Sequence, residues 1–211
     1  MIVIFDVEGV LVDGEFLPEL AKLVDRDGEV ADITDKGIKG EINWSEGLER
    51  RIRLVEGTTY EQCVSVAERL PLMNGAKEMI SQFRKTDCTL VGVSGGFSLL
   101  TDRVRQELGL DYAFSNELVF HKGMLVGYAL LVNANKKQIL RNAFGSMLRG
   151  QTKVAVVDGA NDLDLFSLVN YRVAFNAQKV VVDQADISIT EKDLRLIPKA
   201  LAKTGNIRNL D

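Results

Sequence analysis

Several residue types that mark particular classes of protein are scarce in this chain. Its two cysteines, Cys63 and Cys88, are too few for a disulfide framework and fit a reducing compartment. A single histidine, His121, argues against a histidine-rich zinc site. No apolar run approaches the roughly 18 residues that a membrane-spanning helix needs. The sequence therefore predicts a cytoplasmic protein with no membrane partner.

An excess of positive charge is also missing. Against 26 Lys and Arg there are 30 Asp and Glu, and the net charge is −4. Nucleic-acid binders normally present a basic face, so no nucleic-acid partner is expected. The 211 residues, 46% of them hydrophobic and 27% charged, are typical of a globular protein. This length predicts one large domain, or a core with a small insert, and allows either a monomer or a homodimer.

The first residues, MIVIFDVEG, form an apolar run with no basic residue before it and an acid at Asp6. We expect a buried strand here rather than a signal peptide. Similar short apolar runs recur later, and segments with helical spacing, such as a helix expected over Asp162 to Val169, separate them. Further strands are expected at Thr89 to Val93, Val154 to Val157, Val173 to Phe175 and Ile187 to Ile189, with a hairpin around Lys122-Gly123. Strands that alternate with helices predict a parallel sheet.

Residues 14–72 show helical spacing and no strand pattern. Within them Trp44, Leu48, Ile52 and Val55 recur on one face of a helix. We therefore predict an α/β fold in two parts. A Rossmann-like parallel sheet core would comprise residues 1–13 and 73–211. A small helical cap, residues 14–72, would be inserted after the first strand.

Polar residues follow three of the predicted strands. These loops are Asp6-Val7-Glu8-Gly9, Ser94-Gly95-Gly96 and Asp158-Gly159-Ala160-Asn161-Asp162. Ligands bind at the carboxyl ends of strands in open parallel sheets, so the loops should converge. Carboxylates there suit Mg²⁺, and a carboxylate can itself be a nucleophile. The Ser-Gly-Gly loop suits a phosphate group, and Lys136 or Lys137 could supply a fixed positive charge.

The motifs together resemble those of haloacid dehalogenase superfamily phosphatases, within the phosphoserine phosphatase-like branch. They occur in the family's order over nearly the whole chain, as FDVEGVLVDGE, VSGGF, ANKKQIL and VDGANDLDLF. The segments GEINWSEGLERRIRLV and LGLDYAFSNEL are also similar to that branch. Position and order make the match specific, although each motif alone is weak.

The resemblance implies Mg²⁺-dependent phosphomonoester hydrolysis through an aspartyl-phosphate, with a place in serine biosynthesis. Asp6 would attack phosphorus. Glu8, which stands where the family has its second Asp, would protonate the leaving alkoxide and then activate water. Mg²⁺ would be held by Asp6, the backbone carbonyl of Glu8 and Asp158. Lys136 would offset the phosphoryl charge, and Asp162 would order Lys136 and the water on the metal.

The implied substrate is a small phosphate ester, and phosphoserine is favoured. Ser94 and Gly95 would bind the phosphoryl oxygens. Asn161 is expected with these substrate-binding residues and would help to order the water on the metal. Glu15 would meet the substrate ammonium and Arg51 its carboxylate, which is why phosphoserine is preferred to a sugar phosphate.

Three departures from the family pattern keep other activities open. Glu8 is one methylene longer than the usual Asp, Val10 replaces the usual Thr or Ser, and Val157 replaces the common Gly before Asp158. The Asp-x-Glu-Gly-Val pattern also resembles a bacterial branch that can pass phosphate to homoserine. A phosphatase or phosphotransferase for another small ester and a weakly active phospholigand-binding protein are therefore the alternatives.

Ordinary structural roles compete with the assigned ones. Ser94 is a possible helix N-cap, and Glu15 a first-turn acid of a helix. Arg51 lies in a charged run with Arg50 and Arg53, a pattern that usually marks a solvated helix face. The contacts of these side chains in the folded protein decide between the structural and the functional roles.

Overall fold

The structure is a computed structural model that describes residues 1–38, 41–132 and 135–205. Its strands are β1 (Ile2–Phe5), β2 (Thr89–Phe97), β3 (Tyr112–His121), β4 (Met124–Ala129), β5 (Lys153–Val157), β6 (Tyr171–Phe175) and β7 (Ile187–Ile189). They form one seven-stranded sheet in the order β4-β3-β2-β1-β5-β6-β7. All neighbouring strands are parallel except β3 and β4, which form the predicted antiparallel hairpin. The α/β fold class is confirmed.

Helices lie on both faces of the sheet, and several of them occur between β1 and β2 in the sequence. The α-helices are α1 (Phe16–Ala21), α2 (Asp27–Ile38), α3 (Trp44–Val55), α4 (Tyr60–Arg69), α5 (Ala76–Arg84), α6 (Ser98–Leu108), α7 (Lys136–Phe144), α8 (Leu163–Phe166), α9 (Lys179–Val182) and α10 (Leu196–Ala202). Short 3₁₀ segments occupy Lys22–Val24, Gly145–Leu148 and Ala160–Asp162. Over the described part of the chain, we find no helix with the length and apolarity that crossing a bilayer requires.

The central strand β1 explains how the two faces of the sheet are filled. Val3 and Phe5 belong to the apolar cluster on one face, and Ile2 and Ile4 to the cluster on the other. Successive side chains of a strand point to opposite faces, so an uninterrupted apolar run fits a strand buried on both sides. This pattern made β1 predictable.

Helices α1 to α4 form the segment that we call the helical segment, residues 16–69. Its apolar residues, among them Phe16, Leu48 and Val66, belong to the same cluster as Val3 and Phe5 of the sheet. Side-chain caps begin α3 and α4, because Asn43 accepts from the N–H of Glu46 and a reciprocal capping box starts α4. This segment matches the predicted cap, and its division from the core stays a prediction.

Backbone hydrogen bonds attach the helical segment to the hairpin of β3 and β4. Gly57 N–H donates to Leu125 O at 2.9 Å, and Leu125 N–H donates to Thr58 O at 2.8 Å. Tyr60 N–H donates to Gly123 O at 2.9 Å. The hairpin thus belongs to the sheet and also supports the turn between α3 and α4.

Two elements differ from the sequence-based expectation. The second strand was expected to end at Val93, but β2 continues to Phe97 with a shifted register. Val93 pairs with Phe114 and Phe97 with Asn116, so the intervening residues of β2 bulge out of the ladder. The helix expected over Asp162 to Val169 is only the short α8, because i→i−3 hydrogen bonds from Ser167 and Leu168 tighten its end.

Candidate active site

The three polar loops meet at one edge of the sheet because their strands are neighbours. β1 lies between β2 and β5, with Phe5 level with Gly92 of β2 and with Val156 of β5. Asp6 follows directly, and its N–H donates to Val156 O at 3.0 Å. The carboxyl ends of β1, β2 and β5 therefore place their polar residues side by side, as the sequence predicted.

A cavity of about 640 Å³ opens between this sheet edge and the helical segment. The predicted site residues that line it are Asp6, Glu8, Glu15, Arg51, Ser94, Gly95, Lys136, Asp158 and Asn161. Asp162 is fully buried and lies behind the lining, in contact with Lys136. The structure thus brings together every residue that the sequence assigned to the site.

Lys136 is a buried cation between two carboxylates. Its Nζ lies 2.9 Å from Asp6 Oδ1 and 2.6 Å from Asp162 Oδ1. Burial alone would lower the pKa of Lys136, but the charges of Asp162 and Asp6 outweigh it, so the pKa is raised. Lys137 is the surface lysine of the pair, because its Nζ donates to Ser167 Oγ at 2.9 Å. The choice of Lys136 over Lys137 is therefore supported.

Three carboxylates form a cluster that fits a hard cation. Asp6, Asp158 and Asp162 each offer an oxygen, and these atoms lie within 4.8 Å of one another. Burial, and then the charge of Asp6, raise the pKa of Asp158 to about 7. A Cβ at position 9 would lie 2.1 Å from Asp158 Oδ2, so Gly9 leaves the room that this carboxylate occupies. Oxygen ligands concentrated in this way suit Mg²⁺.

The carboxyl group of Glu8 lies between β2 and the start of α1. Its Oε1 accepts from Phe16 N–H at 2.6 Å, and its Oε2 lies 3.5 Å from Ser94 Oγ. A Cβ on Gly96 would lie 2.0 Å from Oε2, so the glycine makes room for the longer side chain. Burial raises the pKa of Glu8 and outweighs the hydrogen bond from Phe16 N–H, which lowers it. The charge of Asp6 raises this pKa further.

The bulge of β2 forms a loop of Ser94, Gly95 and Gly96 at the cavity. Gly96 N–H donates to Ser94 Oγ at 2.9 Å. The helix that follows begins at Ser98 and has Phe97 at its N-cap, so Ser94 is not a helix cap. The ring of Trp44, from the start of α3, approaches Gly95 so closely that a Cβ there would lie 3.1 Å from it. Trp44 therefore lines the cavity as well as packing against the apolar cluster.

Glu15, just before the helical segment, and Arg51 within it bring an acidic and a basic side chain to the cavity. Glu15 precedes α1, and its side chain is exposed because it opens into the cavity. Desolvation of the carboxyl by the surrounding protein, and then the charges of Glu8 and Asp158, raise the pKa of Glu15 to about 8. Arg51 extends from α3 and donates from Nε to Gly47 O at 3.2 Å.

The neighbouring arginines point elsewhere. Arg50 pairs with Glu46 at 2.5 Å and Arg53 with Glu49 at 2.5 Å, each one helical turn away. Both pairs are exposed, and neither arginine lines the cavity. Arg51 is therefore the arginine of this run that faces the cavity.

Some cavity residues had no sequence signal. Ile33 and Thr34 of α2 line it, although no motif covers this part of the sequence. Gln178 also lines the cavity, and its Oε1 accepts from Ala160 N–H at 3.2 Å. Gln178 comes from a loop after β6 that carries no motif, so only the folded chain brings it to the site.

The chain is similar to characterised proteins over most of its length. A model of the haloacid dehalogenase-like hydrolase family matches residues 1–166. A phosphoserine phosphatase of Archaeoglobus fulgidus is 37% identical, with 92% of this chain and 57% of that protein covered. The phosphoserine phosphatase of Methanocaldococcus jannaschii is 31% identical, with 94% and 96% covered. This chain thus spans little more than half of the first relative and nearly all of the second.

Solved structures agree with the sequence comparison. A substrate-bound phosphoserine phosphatase complex matches with a TM-score of 0.86 at 31% identity, over 94% of this chain and 97% of that chain. A structure described as a phospho-aspartyl intermediate analogue of phosphoserine phosphatase matches equally well, with a TM-score of 0.86. The chain belongs to the family of haloacid dehalogenase-like hydrolases.

Proposed function

We propose that this chain is a phosphoserine phosphatase that hydrolyses L-phosphoserine to L-serine and phosphate. One observation carries the proposal. A single cavity holds a buried carboxylate fixed by a cation, Asp6 with Lys136, together with the charged groups of Glu15 and Arg51. The first pair suits attack on phosphorus, and the second suits an amino acid's ammonium and carboxylate.

Asp6 is the proposed nucleophile. Its Oδ1 accepts from Val7 N–H at 2.7 Å and from Lys136 Nζ at 2.9 Å. We therefore assign the attack on phosphorus to Oδ2. The new Oδ2–P bond forms as the bond between phosphorus and the serine oxygen breaks. The serine oxygen leaves with the electron pair of that bond, and the phosphoryl group is then carried by Asp6.

Glu8 is the proposed general acid and base. Burial raises the pKa of Glu8, which favours its protonated form, and protonated Glu8 can give its proton to the leaving serine oxygen. The resulting carboxylate then takes a proton from water as the water oxygen attacks phosphorus. Asp6 leaves with the electrons of its bond to phosphorus, so phosphate is released and both side chains regain their starting forms.

The carboxylate cluster fits Mg²⁺, and we propose that Asp6, Asp158 and the backbone carbonyl of Glu8 hold it. The ion would reduce the repulsion between Asp6 and the phosphate dianion. Asp162 keeps its place behind Lys136, whose ammonium is a fixed positive charge beside the nucleophile. We assign the phosphoryl oxygens to Ser94, Gly95 and Asn161.

We assign selectivity to the helical segment and treat residues 14–72 as a cap over a core of residues 1–13 and 73–211. Glu15 would bind the ammonium of phosphoserine and Arg51 its carboxylate. Trp44 packs against Gly95 of the Ser94 loop, which would help to exclude bulk water from the intermediate.

The experiment that tests this function is a substrate panel. Phosphate release is measured for L-phosphoserine, glycerol phosphate, a sugar phosphate and p-nitrophenyl phosphate, with Mg²⁺ and with EDTA. We expect Mg²⁺-dependent release with a marked preference for L-phosphoserine. Preference for another ester would contradict the substrate assignment, and formation of phosphohomoserine when homoserine is added would identify a phosphotransferase. Binding of phosphoserine without turnover would contradict the enzyme activity itself.

A further inference from the structure

Asn116 lies where the sheet changes partners. Up to this residue β3 pairs with β2, and from Glu117 onward it pairs with β4. Asn116 is level with Phe97, directly after the bulge that contains the Ser94 loop. A bulge removes backbone groups from the ladder, and buried backbone groups need other partners. Asn116 is fully buried beside this gap.

The side-chain amide of Asn116 supplies those partners in two directions. Its Nδ2 donates to Gly95 O at 2.9 Å. Its Oδ1 accepts from Leu131 N–H at 2.8 Å and from Val132 N–H at 2.7 Å. The Gly95 carbonyl needs a donor, which is Nδ2, and the two N–H groups need an acceptor, which is Oδ1. The amide therefore fits in only this orientation.

The contact with Gly95 fixes a peptide that in turn fixes Ser94. The Gly95 carbonyl and the Gly96 N–H belong to the same planar peptide group. On one side the carbonyl accepts from Asn116, and on the other side the N–H donates to Ser94 Oγ at 2.9 Å. Ser94 Oγ therefore accepts one hydrogen bond. Its own O–H makes only a long 3.5 Å hydrogen bond to Glu8 Oε2, so it can turn to an acceptor that enters the cavity.

We infer that Asn116 is a positioning residue that, through the Gly95–Gly96 peptide, makes Ser94 a hydrogen-bond donor to the phosphoryl group. The inference rests on the proposed function, and it adds a residue that does not line the cavity. Without the Asn116 hydrogen bond, the Gly95–Gly96 peptide keeps only the hydrogen bond from Gly96 N–H to Ser94 Oγ, and it lies between two glycines, which have the least restricted backbone of all residues. Ser94 would then lose its fixed orientation.

The test is a double-mutant cycle between positions 116 and 94. Asn116→Ala removes the whole amide. Asn116→Asp, in its ionised form, keeps an acceptor for Leu131 and Val132 and removes only the donor to Gly95. Each variant is made in the Ser94 and the Ser94→Ala backgrounds, and Glu117→Gln on the exposed face of the same strand is the control. Thermal melting shows which of the proteins are folded.

With Ser94 present, we expect each Asn116 variant to lower kcat for L-phosphoserine roughly tenfold to a hundredfold, as for loss of one hydrogen bond to a charged group. In the Ser94→Ala background the same variants should change kcat by less than about twofold, because interacting residues are not additive. Equal losses in both backgrounds, or full activity of folded Asn116→Asp, would overturn the inference.

Orthovanadate affinity separates this inference from the proposed function. It is measured by calorimetry and needs no turnover. A wild-type protein inactive on every ester would refute the phosphatase proposal alone. The effect of Asn116 on anion binding is then judged from the vanadate affinity, which we expect to weaken in the Asn116 variants only when Ser94 is present. Unchanged vanadate affinity in folded Asn116 variants would overturn the inference.

Discussion

The carboxyl oxygen Oε1 of Glu8 and the backbone N–H of Phe16 lie 2.6 Å apart in a hydrogen bond. Phe16 is the first residue of α1, which begins the helical segment. The proposed acid and base is therefore oriented by the part of the chain that also carries Glu15 and Arg51. Displacement of α1 from the sheet would break this hydrogen bond and release the Glu8 side chain.

Gly96→Ala is expected to impair proton transfer. The added Cβ would lie 2.0 Å from Glu8 Oε2, so the carboxyl has to move away from the leaving oxygen. We expect kcat for L-phosphoserine to fall about a hundredfold, within the range of about 10²–10⁴ typical for general acid–base catalysis. Adding Glu8→Asp should restore part of the rate, because the shorter side chain no longer meets the methyl group. A single Gly96→Ala variant with wild-type kcat would contradict this packing.

Arg51→Ala is expected to act on phosphoserine selectively. Arg51 faces the cavity and would pair with the substrate carboxylate, which p-nitrophenyl phosphate lacks. We expect KM for L-phosphoserine to rise by about tenfold to a hundredfold, the loss of one charge-assisted hydrogen-bonded contact. KM for p-nitrophenyl phosphate should change little. Arg50→Ala is the matched control, since Arg50 pairs with Glu46 on the outer face. Equal effects on both substrates would remove Arg51 from the substrate site.

Glu15 is expected to make substrate capture dependent on pH. Because its pKa is raised to about 8, the carboxyl is mostly neutral at pH 7 and ionises as the pH rises through that value. Only the ionised form can pair with the ammonium of phosphoserine. We therefore expect kcat/KM for L-phosphoserine, which reports on the free enzyme, to increase between about pH 7 and 9.

The control for this pH dependence is Glu15→Gln. Its kcat/KM for L-phosphoserine should be lower and should lack the rise near pH 8. With p-nitrophenyl phosphate, which has no ammonium, the two proteins should give similar profiles. An unchanged rise in Glu15→Gln would assign the titration to another group.

Lys136→Met is expected to reduce both stability and activity. It leaves the carboxylates of Asp6 and Asp162 buried without their shared cation, and breaking a buried pair in this way costs about 3–5 kcal/mol. Lys137→Met, at an adjacent and partly exposed position, should change the free energy of unfolding by about 0.5 kcal/mol or less. Urea denaturation in EDTA measures both values. Similar stabilities for the two variants would show that Lys136 does not hold the carboxylates together.

Much of this site could be located from the sequence because strands impose a simple rule. The polar residues at the carboxyl ends of β1, β2 and β5 had to meet once those strands were neighbours, which placed Asp6, Ser94 and Asp158. The sequence could not choose between Lys136 and Lys137, since adjacent helix positions differ only in the direction that packing gives them. The family resemblance made that choice, and the contacts of Lys136 support it.

Other features depended on contacts between distant segments. The bulge in β2 has no periodic signal, because Ser94, Gly95 and Gly96 are typical of a loop, although the strand continues through them to Phe97. Asn116 lies between the polar residues Ser115 and Glu117 in β3, so the sequence does not single it out, and its role depends on Leu131 and Val132, which are distant from Gly95 in sequence. Thr34 and Gln178 reach the cavity only through the packing of α2 and the loop after β6.

The most direct test of catalysis at Asp6 is to quench the protein with acid during turnover of L-phosphoserine and locate the phosphoryl group by peptide mass spectrometry. We predict one added phosphoryl group on the peptide that contains Asp6, and neither the adduct nor phosphate release in folded Asp6→Asn. Phosphate release by Asp6→Asn at the wild-type rate, or a phosphoryl group on another residue, would contradict the assignment of Asp6 as the nucleophile.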